Sequence, residues 1–185
     1  MVQPGSIPGT PRSQKYWDGK EIMRNTLALM GLHHFLSEHP DAHDQTIWGR
    51  VSVDLHPNRI NEYLGEYRKA MHTAPLTCGT AACSAGWTVL LNGAKPHDLD
   101  TIFEFDTNCR AQRVTSLLLR TVEYDGKLYY VPDLAAKMLG LEENVTYYLF
   151  SSMLKRDAVL TALEMLIAGK DDDAVIDYLA READL

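Results

Sequence analysis

The ten residues from Cys78 to Trp87 constrain the fold more than any other part of the chain, because nine of them are small. Small side chains bury little apolar surface, so such a segment must contribute through close packing or through chemistry. We interpret Cys78 to Thr80 as the turn into a helix that ends near Leu91. Ala82 and Gly86 share one face of this helix, and that face predicts the close approach of another backbone segment.

Most other segments of the chain follow the helical period. Apolar spacing and helix start and stop signals predict helices over about residues 19–38, 60–71, 133–139, 142–150, 156–168 and 171–183. Pro132 suits a first helical turn, and Gly140 and Gly169 suit helix ends. The pattern therefore predicts a mainly α fold, with one compact helical domain over residues 16–185.

One segment favours β structure instead. Asp125-Gly126 separates two runs rich in β-branched and aromatic residues, Thr121–Tyr124 and Lys127–Val131. Both central positions of a tight hairpin turn favour positive φ, which Asp and Gly tolerate. We expect a small β-hairpin insertion at about residues 94–131 of the helical domain.

Composition restricts the environment and the partners of the chain. A chain of 185 residues can bury a core without disulfides, and the formal net charge of −7 disfavours nucleic acid as a partner. No apolar run approaches the roughly 20 residues of a membrane span, and the N-terminus lacks a secretory pattern. We expect a cytoplasmic protein with reduced thiols and no membrane association. Prolines and glycines in residues 1–15 predict a mobile tail.

Cys78 is the candidate nucleophile. At the predicted helix start, main-chain N–H groups and the helix dipole would lower the pKa of its thiol. One of the seven histidines could act as the base of a thiol hydrolase or transferase. The segment differs from the papain-like Cys-Gly-Ser-Cys-Trp pattern, because Cys83 lies five residues after Cys78 and no His-plus-Asn signature follows.

A metal site and simple packing are the other interpretations of the cysteines. Cys78 and Cys83 have four residues between them, and His72 precedes them, so these three side chains could bind zinc. Zinc is the only cofactor that the sequence suggests. A disulfide is disfavoured, because five helical residues would separate the Cα atoms by about 8 Å. The packing interpretation treats both thiols as small buried hydrophobic groups.

Three pieces of the sequence carry a resemblance. Cys-Gly-Thr-x-x-Cys-x-Ala-Gly-Trp at residues 78–87, Asp-Gln-Thr-Ile-Trp at 44–48, and Ala135–Leu141 followed by Leu149-Phe150 resemble elements of small uncharacterised proteins of bacteriophages and bacteria. No activity of that group is known to carry over. The resemblance implies a phage accessory protein in the cytoplasm of a bacterial host cell.

The expected function is binding rather than catalysis. We expect a non-enzymatic accessory or regulatory protein that binds a host or phage protein, because no convincing catalytic set is present. Aromatic residues are enriched in interfaces, and Trp87, Tyr129 and Tyr130 are the candidate contacts. The sequence makes no prediction about oligomeric state.

Overall fold

The computed structural model describes residues 16–17, 20–21, 23–59, 80–108 and 110–183, which form a mixed α/β fold. Its helices are α1 Thr26–Glu38, α2 Ser84–Leu91, α3 Val131–Leu139, α4 Glu143–Leu149, α5 Arg156–Ile167 and α6 Asp172–Glu182. Its strands are β1 Tyr16–Trp17, β2 Lys20–Glu21, β3 Arg50–Leu55, β4 Thr80–Ala81, β5 Lys95–Phe105, β6 Ala111–Tyr124 and β7 Lys127–Tyr130. Pro40–Ala42 and Pro57–Arg59 are single 3₁₀ turns.

The antiparallel sheet is much larger than an inserted hairpin. Strand β6 is central: β5 pairs along one side, while β3 and β7 pair with different parts of the other, and β4 pairs with β3. The prediction of a mainly α fold was therefore wrong, since β5 and β6 have 11 and 14 residues. The β5–β6 register shifts at four places. In β6 the buried Val114 and Leu117 lie three residues apart, so the alternation that identifies a strand is broken there.

The β6–β7 hairpin confirms the local turn prediction. Asp125 has φ 49° and Gly126 has φ 71°, as a type I′ turn requires. Tyr124 pairs with Lys127 directly beside the turn. This hairpin is one corner of the sheet rather than a separate insertion.

Two predicted helix starts were wrong. Helix α1 begins at Thr26, where the side chain of Asn25 caps it, and not near residue 19. Helix α2 begins at Ser84 with Cys83 as its N-cap, whereas Thr80–Ala81 forms strand β4. The predicted helix over residues 60–71 and the predicted tail over residues 1–15 lie outside the described residues.

Helix α2 lies at the centre of the core. Every residue from Ser84 to Leu90 is buried, and α2 packs against both α1 and α3. The ring of Trp87 lies 4.5 Å from that of Phe35 on α1, measured between centroids. Helix α5 packs against α1 and α6 beyond it. None of the described helices has the length and apolar composition needed to cross a bilayer.

Candidate functional site

The loop of residues 42–48 is attached to the start of α2 by main-chain hydrogen bonds. The Ala82 carbonyl accepts from the N–H of Asp44 at 3.0 Å. The N–H of Cys83 donates to the Ile47 carbonyl at 2.7 Å. Because buried main-chain groups need partners, these bonds fix the path of the loop across the helix start.

The buried side chain of Gln45 extends the attachment into the core. Its Nε2 donates to the Leu149 carbonyl at 2.8 Å and to Ser84 Oγ at 3.2 Å, and its Oε1 accepts from the Ser84 N–H at 3.1 Å. His43 Nε2 lies 2.9 Å from the same Oε1. An amide oxygen only accepts, so His43 carries its proton on Nε2. One glutamine thus joins the loop to α2 and to the end of α4.

Gly86 allows the loop to lie directly on α2. A Cβ atom at Gly86 would lie 1.5 Å from the carbonyl oxygen of Trp48. The close backbone approach is confirmed at Gly86, whereas Ala82, which was predicted to share its helix face, lies before the helix. On the far side of Trp48, the Gly49 carbonyl accepts from the Leu119 N–H at 2.8 Å. The backbone of Trp48 is consequently held from both sides.

This support presents Trp48 to a cleft between the loop and the helix pair α3–α4. The cleft has a volume of about 490 Å³. We call it the aromatic cleft, and its lining residues are Trp48, Pro132, Asp133, Ala136, Glu143, Thr146, Tyr147 and Phe150. Trp48 is 38% exposed and Tyr147 is 70% exposed, whereas a buried large apolar side chain would be the usual case. The cleft thus offers accessible aromatic surface on a fixed frame.

Two carboxylates, those of Asp133 and Glu143, line the aromatic cleft. Asp133 is in the first turn of α3 and Glu143 is in the first turn of α4. Within the described part of the chain, neither carboxylate group forms a hydrogen bond or an ion pair. Among the described residues, the cleft lining contains no lysine, arginine or histidine. Its electrostatic character is therefore acidic.

The polar groups on the other side of the loop do not form a catalytic set among the described residues. Burial lowers the pKa of His43 below its ordinary value of 6.5 and outweighs the hydrogen bond with Gln45, which raises it, so the neutral imidazole predominates at pH 7. Across the described ranges, no hydroxyl or thiol group hydrogen-bonds to His43. Thr46 Oγ1 donates to Asp44 instead. Among the described residues, the neutral imidazole of His43 has no nucleophile beside it.

Cys83 is chemically protected. It is fully buried, and its Sγ accepts from the Gly86 N–H at 3.5 Å as the N-cap of α2. Burial raises the pKa of the Cys83 thiol from 9 to about 11, in spite of the main-chain hydrogen bonds that lower it. Cys83 is therefore a protonated packing residue at neutral pH.

The raised pKa of Cys83 predicts a loss of stability in alkali. Above pH 9 the unfolded thiol releases its proton while the folded one keeps it, so the free energy of unfolding should fall as pH rises from 9 to 11. The expected loss at pH 11 is about 2 to 3 kcal/mol. Urea unfolding of wild type and Cys83→Ala at both pH values measures it, and equal slopes for the two proteins would contradict the prediction.

The other candidates from the sequence have different outcomes. Cys78 and His72 lie outside the described residues, so their catalytic and zinc roles remain predictions. Trp87 is fully buried and donates from Nε1 to the Ala42 carbonyl at 2.7 Å, which leaves it no surface for a partner. Within the described ranges, no three His, Cys, Asp or Glu side chains come together as a metal site requires.

The two tyrosines of β7 differ in exposure. Tyr130 is 62% exposed. Tyr129 is half-buried, and the Lys137 ammonium lies 5.6 Å from its ring centroid. Neither tyrosine lines the aromatic cleft. They remain candidate contacts on a neighbouring surface.

Sequence reasoning did not identify Gln45, Trp48 or Tyr147 as site residues. The first two belong to the 44–48 element of the resemblance, and Leu149 belongs to a second element. The structure brings these elements together with the 78–87 element at the Gln45 amide. The available signal for these site residues was the presence of a polar residue, Gln45, close to an aromatic residue, Trp48, in one short motif. Comparison of the chain with protein-family models, curated proteins and solved structures finds no match.

Proposed function

We propose that this chain is a non-enzymatic accessory protein that acts by binding another protein, and that the aromatic cleft is its binding surface. The resemblance of its motifs to small phage and bacterial proteins makes a host or phage protein the expected partner. The exposed Trp48 and Tyr147 over a fixed frame are the observation that carries the proposal.

The architecture of the cleft supports binding. Aromatic side chains supply large contact area with few rotatable bonds, which is why they dominate interface energetics. Hydrogen bonds on either side of Trp48 and the contact with Gly86 hold its backbone in place before any partner arrives. Such preorganisation reduces the entropy lost on association.

Removal of the two exposed aromatic rings should weaken partner binding by roughly thirtyfold or more. We expect the Trp48→Ala/Tyr147→Ala protein to lose at least about 2 kcal/mol of binding free energy, because interface hot spots typically contribute that much. The measurement is affinity capture from a bacterial lysate with tagged wild type and variant, followed by titration of the captured protein against both.

Phe105→Ala is the matched control. Phe105 is 59% exposed at the far end of β5 and does not line the cleft. The control should retain the partner in full. A partner that is lost with Phe105→Ala and kept by the cleft variant would place the interface on the β5–β6 hairpin and reject the proposal.

A further inference from the structure

We propose that the aromatic cleft recognises a lysine or arginine side chain in a segment of the partner protein. This inference rests on the proposed function and adds the chemistry of the ligand. It is carried by the aromatic side chains and the two carboxylates that line one cleft, where no described residue supplies a cation.

The aromatic side chains favour a cation by their electron distribution. The face of an aromatic ring is negative, so an ammonium or guanidinium group within about 6 Å of its centre is attracted, most strongly by tryptophan. Trp48, Tyr147 and Phe150 all line the cleft. Lysine and arginine also carry apolar stems, which would contact the same rings.

The negative charge of the two carboxylates is larger than the positive charge that the two helix dipoles contribute at the cleft. Asp133 and Glu143 lie in the first turns of α3 and α4, where each helix contributes about half a positive charge. The two carboxylates together carry two negative charges, and the two helix N-termini together contribute about one positive charge. The net charge at the cleft is therefore about one negative charge. A bound cation would thus find a compensating charge, whereas a carboxylate or phosphate would be repelled.

The size of the cleft fits one side chain with its flanking residues. A volume of about 490 Å³ lies within the usual range for sites that enclose a compact ligand. The net charge of −7 on the whole chain adds long-range attraction for a basic partner. The volume and the negative charge therefore favour a cationic peptide segment over a purely apolar one as the ligand of the cleft.

The test uses random twelve-residue peptides displayed on phage and selected on the immobilised full-length protein. We expect the selected peptides to contain lysine or arginine beside an apolar residue. A synthetic peptide from the selection should bind about tenfold more weakly to Asp133→Asn/Glu143→Gln, as measured by tryptophan fluorescence. Its affinity for wild type should fall with added salt.

Asp157→Asn/Asp173→Asn is the matched control. These residues are exposed carboxylates in the first turns of α5 and α6, so the change removes the same charge from equivalent helix positions outside the cleft. The control should bind the peptide like wild type. Far-UV circular dichroism and thermal unfolding of both double variants establish that they are folded.

Two outcomes overturn the inference in different ways. Selected peptides that lack basic residues, depend on Trp48 and ignore both carboxylates would reject the cationic ligand and leave the binding function standing. Failure to select any peptide, or selection that Trp48→Ala and Tyr147→Ala leave unchanged, would reject the inference and the proposed function together.

Discussion

Gly86→Ala should lower the free energy of unfolding by about 3 kcal/mol or more. The added Cβ would lie 1.5 Å from the Trp48 carbonyl oxygen and 2.9 Å from Ala82 Cβ. Neither neighbour can move away easily. Hydrogen bonds to the start of α2 hold the loop, and Ala82 is held by its pairing with the same loop. Relief of the clash therefore requires the loop to leave the helix. Urea unfolding followed by circular dichroism measures the change.

Gly31→Ala is the control for helix propensity. Gly31 lies inside α1, and an added Cβ there meets nothing within 4 Å. The alanine should raise the free energy of unfolding by about 0.5 to 1 kcal/mol, because glycine is a poor helix former. Equal shifts for the two variants would show that the Gly86 contact with the loop is absent in solution.

Gln45→Ala should lower the free energy of unfolding by about 2 to 4 kcal/mol. The change leaves the buried N–H of Ser84 without its acceptor and removes the stronger of two donors from the Leu149 carbonyl. A cavity in the buried site adds to the loss. Equilibrium urea unfolding measures the total, and hydrogen exchange at the Ser84 amide reports the broken bond directly.

Gln45→Met separates the polar contribution from the cavity. Methionine has a similar length and fills the site without hydrogen bonding, so about 1 to 3 kcal/mol of the loss should remain. Thr107→Ala is the surface control, since Thr107 is exposed and should change stability by less than about 0.5 kcal/mol. If the hydrogen-exchange rate of the Ser84 amide were unchanged in Gln45→Met, the hydrogen bond between Ser84 and Gln45 would be contradicted.

Helices α3 to α6 were predictable because their start and stop signals are local. Gly140 and Gly169 adopt positive φ at the ends of α3 and α5, and Asp171 caps α6. The Asp125-Gly126 turn is equally local. A residue that fixes its own backbone conformation can be recognised without knowledge of what it packs against.

The sheet and the start of α2 were not predictable in this way. Thr80–Ala81 pairs with Arg50–Val51, about 30 residues earlier. This pairing holds the segment in an extended conformation, although its sequence resembles the start of a helix. Irregular spacing of the buried residues hides the strand period in β6, the longest of the described strands. Both features depend on contacts between distant parts of the chain.

By itself, the sequence determined the small-residue face of α2 and the need for another backbone against it. Only the tertiary structure decided that this backbone is the Trp48 loop, through the contact at Gly86 and the buried amide of Gln45. Local patterns specify which surfaces must be covered, whereas the partner of each surface is selected by packing and hydrogen bonding across the whole chain. The aromatic cleft is a product of that second step, because its lining comes from a loop and two helices that are distant in sequence.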